Sequence, residues 1–153
     1  METLNYLLVA VLASLGIVAG AVLARIAKEE LRAGEKYFHL LKKLFFAVAA
    51  GVLACSFEPS ILVIVAGIIA ITAYVAFQKK LPEFAVQAVL GAAFFVSSLS
   101  AFFPLFAAAV FAYGFPAGTL MAKEKKTPVQ FALCVIVFIA VALLLHLLTK
   151  TFI

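Results

Sequence analysis

From Phe84 to Ala122 the chain carries no charged side chain. Such a stretch is foreign to an ordinary water-soluble domain, in which about a quarter of residues are charged. As one helix, these 39 residues would run to roughly 58 Å, nearly twice a ~30 Å hydrocarbon core. Two spans joined by a tight hairpin fit better. Ser97-Ser98-Leu99-Ser100, followed by Pro104, marks the turn between them.

The rest of the chain has the same character, 67% hydrophobic and 12% charged. Lipid is therefore its main solvent, and in lipid the backbone must satisfy its own hydrogen bonds, as a helix or a closed barrel. A barrel strand alternates apolar and polar residues, whereas Ile61 to Phe77 and Phe131 to Leu148 are apolar on every face. The expected fold is an all-α, polytopic integral membrane helix bundle, a single domain over residues 1–153. Six transmembrane helices are expected, at about 4–27, 37–57, 61–77, 82–99, 104–122 and 128–148. Between the first two lies the charge-dense segment Lys28 to Lys36, read as the longest loop and the main contact surface. Met1-Glu2-Thr3 lacks a basic leader region, so the first span is read as a retained anchor.

Charge orients the bundle. With six spans the odd-numbered connections share one side. That side holds Lys28, Arg32, Lys36, Lys79, Lys80, Lys123, Lys125 and Lys126, with Arg25, Lys42 and Lys43 at its edges. Only Lys150 of the 12 basic residues lies opposite. By the positive-inside rule the odd connections are cytoplasmic, both termini are outside, and the protein is multi-pass in the cell membrane. The net charge of +5 is explained by this orientation and needs no nucleic acid. Arg32, Lys36, Lys42 and Lys43 are placed to meet anionic lipid headgroups or a partner on that side, with Lys42 and Lys43 reaching back along the helix to the interface.

Four of the five prolines stand where a helix should begin, at Pro59, Pro82, Pro104 and Pro128, where a missing N–H costs nothing. The fifth is different. Gly114-Phe115-Pro116-Ala117-Gly118 interrupts the fifth span. Pro116 gives no hydrogen bond to the carbonyl of Ala112 and crowds it, so a kink or local unwinding is expected there. Broken membrane helices bind solutes through freed backbone groups. Ala112, Tyr113, Gly114, Pro116, Gly118 and Thr119, with Gln87 as the most deeply placed amide, are the candidate substrate-binding residues. Small residues at spacing four, among them Gly16, Gly20, Gly51, Gly114 and Gly118, let helix backbones approach closely. Their expected use is internal packing, with oligomerisation through the first span as the alternative.

No Asp occurs, and Glu, Lys and Arg avoid the span centres, which argues against proton pumps, cation antiporters and voltage sensors. Cys55, Glu58 and His146 share a depth but follow no metal-ligand spacing, so no metal and no cofactor is expected. Glu35 and His39 form at best a surface pair. Hydrolase, metalloprotease and phosphate-loop signatures are missing, and no enzymatic role is expected. The first functional expectation is a structural or accessory subunit of a membrane complex, with the bilayer, other membrane subunits or further copies of the chain as partners. The alternative is a small transporter or permeation module for an uncharged or lipid-like solute, using the broken fifth helix.

Overall fold

The computed structural model describes residues 2–57, 61–77 and 81–152, the side chains of 28, 30–33, 61–62, 64 and 152 excepted. All of its regular structure is helical: α1 Thr3–Ile26, α2 Lys28–Cys55, α3 Ile61–Phe77, α4 Glu83–Ser97, α5 Phe103–Lys123 and α6 Pro128–Phe152. Four of them, α1, α2, α5 and α6, contain a segment long and apolar enough to cross a membrane, while α3 and α4 are shorter apolar helices.

The largest departure from the expected boundaries is in α2. The segment read as a loop, 28–36, is helical, and Ala27 alone separates α1 from α2. Its backbone leaves the helical region at φ −107°, ψ 47°. Lys, Glu, Leu, Arg and Ala are all good helix formers, and charge on a segment does not oppose a helix that projects from the bilayer. Elsewhere the punctuation works as the residues suggest. Pro82 is the extended residue before α4, Pro104 lies in the first turn of α5, and Pro128 opens α6. Pro59 and Glu58 lie outside the described residues. The serine-rich turn closes α4, with Ser98 Oγ donating to the Phe95 carbonyl at 2.6 Å. Ser100 Oγ donates to Ser56 Oγ at 3.0 Å, tying this turn to the end of α2.

At the centre stands α5, packed along α1 on one side and against α2 on another; α4 packs on α6, and α3 chiefly on α2. The α1–α5 crossing is built from two glycine pairs. A Cβ at Gly114 would sit 2.7 Å from the Ile17 nitrogen and 2.9 Å from the Gly16 carbonyl carbon. One at Gly16 would collide with the Phe111 carbonyl oxygen, at Gly20 with that of Phe115, and at Gly118 with that of Ile17. No side chain fits at any of the four. Thr119 fastens the same seam, its hydroxyl 3.1 Å from the Gly20 carbonyl and 2.9 Å from that of Phe115.

This seam changes the reading of the fifth helix. The expected unwinding at 114–116 does not occur: α5 is one α-helix from Phe103 to Lys123 with Pro116 inside it. Pro116 is fully buried, and backbone-to-backbone packing on α1 holds the segment in helical register despite the lost hydrogen bond. Gly51 departs from expectation in the other direction. It is exposed, and a Cβ there would meet nothing within 4 Å. Gly91, which stands in no small-residue stripe, is tight instead: a Cβ would lie 2.7 Å from the Phe138 carbonyl oxygen, marking the close approach of α4 and α6.

Candidate functional site

Four helices each bring one polar side chain into a single chain of contacts. Lys42, four turns into α2, would strand its ammonium in an apolar face if it had no partner. Glu83, the first residue of α4, provides one: Lys42 Nζ lies 2.5 Å from Glu83 Oε2, and each side chain keeps only 14% exposure. The other carboxylate oxygen accepts the Tyr113 hydroxyl at 2.8 Å. Tyr113 has a single proton and gives it to Glu83, so the 3.1 Å contact between the hydroxyls of Tyr74 and Tyr113 has Tyr74 as donor. Tyr74 in turn stacks on Phe46, ring centres 3.8 Å apart, and Lys42 Nζ sits 5.8 Å from the centre of the Tyr113 ring. Both phenolic protons are thereby committed, and each charge of the ion pair has its counter-ion beside it.

This network floors a cleft. The cavity has a volume of about 630 Å³ and lies among the middle of α2, the starts of α4 and α6 and the end of α5. Its apolar wall includes Phe84, Leu120, Met121 and Leu133, and its polar lining Lys42, Glu83, His39, Glu124, Lys126 and Gln130. At the mouth Lys126 Nζ is 3.5 Å from a Glu124 oxygen. Glu35 is close to His39 (4.0 Å) and pairs with Lys123, joining the start of α2 to the end of α5.

The chain matches no protein-family model, no curated protein and no solved structure. Geometry alone carries the functional argument.

The residues singled out in the sequence separate into three groups. Tyr113 is in the polar network. Gly114, Gly118 and Thr119 are in the α1–α5 seam and Pro116 is buried in the same stretch, while α5 lines the cleft with Ala117, Leu120 and Met121 instead. Ala112 is half-buried, and neither Tyr113 nor Thr119 donates to it, since both donate elsewhere. Gln87, one turn beyond Glu83 on α4, is 2% exposed, and its Nε2 has no hydrogen-bond partner. Of the basic residues, Lys36 is exposed, Lys42 turns inward to Glu83, and the Arg32 side chain lies outside the described residues. Among the described residues no group of His, Cys, Asp and Glu could hold a metal ion, and Cys55 and Cys134 are both free.

Glu83, Tyr74 and Gln130 were not among the residues the sequence singled out, and His39 was read only as a surface partner of Glu35. One signal pointed to the first. Lys42 stands well inside an apolar helix, and an ammonium there requires an anion from a neighbour. Glu83 is the acid at the edge of the longest uncharged stretch of the chain.

Proposed function

We propose that this chain is a six-span membrane protein of the cell membrane, with both termini outside, that takes up a lipid-like solute through the cleft and passes it along the bundle. The eleven-to-one division of basic residues supports the orientation. It puts the cleft at the level of the inner leaflet headgroups. The observation that carries the functional reading is the cleft itself, a cavity of about 630 Å³ that falls in the range of small-molecule sites. It combines an apolar wall with a small set of converging polar groups, and it ends on a partly buried ion pair rather than on packed carbon. The reading does not depend on a broken helix: the cleft lies beside the end of α5, with the starts of α4 and α6 on its other sides.

Vesicles reconstituted with the protein test this reading. The protein should speed the movement of a fluorescent short-chain lipid between leaflets, and Leu133→Trp, which fills the cleft mouth, should slow it by about tenfold. Movement no faster than in protein-free vesicles would refute the reading.

A structural role in a larger complex has one observation of its own. The outer surfaces of α2 and α3 are open, with Gly51 facing empty space and Ile68, Ile69 and Val75 exposed. Cross-linking in native membranes from cysteines placed at 51 and 69 distinguishes a protein neighbour from lipid on that face. By contrast, the glycine face of α1, the alternative oligomerisation surface, is filled by α5.

A further inference from the structure

We infer that the cleft selects a zwitterionic amphiphile, a molecule with an ammonium and a phosphate or carboxylate on an apolar tail; this rests on the cleft being a solute site, as proposed above. The lining holds two ammonium groups, Lys42 and Lys126, and two carboxylates, Glu83 and Glu124. They are already matched, Lys42 with Glu83 at 2.5 Å and Lys126 with Glu124 at 3.5 Å.

A purely anionic head would gain Lys42 only by separating it from Glu83 and leaving that carboxylate buried without a counter-ion. A purely cationic head would strand Lys42 in the same way. Leaving one ion of a buried pair alone is among the costliest changes a protein interior can undergo. An uncharged head can meet Gln130 and His39 in the lining, but it gains no contact between opposite charges, the stronger kind of hydrogen bond. A zwitterion alone can open the pair without stranding either member. Its anion takes Lys42 while its cation takes Glu83, so one ion pair becomes two.

The tail has its own place. Phe84 and Leu133 line the cleft and keep 46% and 44% exposure, so the apolar wall continues outward onto the lipid-facing surface. A headgroup seated at Glu83 therefore leaves its chain in the bilayer and needs no sealed apolar tunnel. Two sources share this chemistry, a membrane lipid and a free water-soluble zwitterion, and the apolar wall favours the lipid.

The natural chain contains no Trp, so Phe84→Trp gives a single fluorescent reporter on the cleft wall. The full-length variant, purified in a non-ionic detergent, is titrated with short-chain lipids of identical tails. These are a phosphatidylethanolamine, a phosphatidylglycerol and a diacylglycerol, with phosphoethanolamine as the headgroup alone. The expected result is saturable binding, with the zwitterionic lipid preferred by about tenfold or more over the anionic and the uncharged ones. Phosphoethanolamine alone should bind weakly. In Lys42→Met combined with Glu83→Gln, which removes both charges and strands neither, the preference should vanish while saturable binding remains. Equal affinities, or an anionic preference, in the reporter protein would overturn the inference and leave the cleft a solute site. Tighter binding of phosphoethanolamine than of its lipid would overturn the lipid assignment. Saturable binding of none of the four would overturn both this inference and the functional reading on which it rests.

Discussion

The two ends of the bundle are made of opposite materials. At the end where α1 and α5 begin, the interior is a block of rings. Tyr6 stacks on His146 with centres 4.3 Å apart, and Phe94 meets Phe103 at 4.9 Å and Phe138 at 5.3 Å, edge to face. Tyr6, Phe94 and Phe138 have no exposed surface at all. At the other end, polar groups of both signs face one another around an open cleft. Rings interlock in many orientations and gain from every contact. Charged groups are held at fixed hydrogen-bonding distances and angles, and a space that satisfies them cannot also collapse. The contrast is thus a contrast of forces. Packing seals one end, and electrostatic geometry props the other open. The glycine seam between α1 and α5 lies between the two and gives both a rigid common wall.

Three comparisons of variants press on this contrast. The largest effect belongs to the sealed end. Phe94→Ala should cost about 3–5 kcal/mol, since the buried ring leaves a void its neighbours cannot fill. The matching truncation at the cleft, Phe84→Ala, should change stability by no more than about 0.5 kcal/mol. Chemical unfolding in detergent measures both, and equal costs would mean that the two ends do not differ in packing.

Next in size is the ion pair. Lys42→Met leaves Glu83 charged and unmatched, and should lower stability by about 2 kcal/mol, less than for a fully buried pair because both side chains retain some exposure. Adding Glu83→Gln should restore most of that loss. A double variant as unstable as the single one would show that the pair contributes shape rather than charge balance.

The smallest effect concerns Gln87, whose Nε2 is buried without a partner. Replacing it with Leu removes an unpaid desolvation cost and should raise stability by about 1 kcal/mol. A loss of similar size, seen in the same unfolding experiment, would instead reveal a bound water or solute on that amide, and would extend the polar end one turn further into the bundle.

Part of this contrast was legible in the residues. The serine turn, Pro104 and Pro128 placed the boundaries of α4, α5 and α6 because the signals are local: a proline is allowed in a first turn whatever the helix later touches. The glycine spacing correctly marked the α1 and α5 faces as places of close approach. The same spacing misjudged Gly51, which has no neighbour, since a small residue permits contact but does not create it. The unwinding expected at Pro116 is absent for a related reason. Its covalent cost is certain, but whether the helix unwinds under it depends on what lies alongside, and here that is the backbone of α1.

Sequence by itself determined most of the helical segments and where most of them start, though not that α2 begins at Lys28, and that several are apolar enough to cross a membrane, because hydrogen-bond closure and apolar length are properties of each segment alone. Tertiary structure decided which faces meet. Lys42 and Glu83 are 41 residues apart, and nothing in either helix requires that they pair. Their meeting follows from how α5 packs on α1 and α2 and how α4 lies on α6. That arrangement minimises voids and stranded charge over the whole bundle at once, a condition that no single helix carries in its own residues.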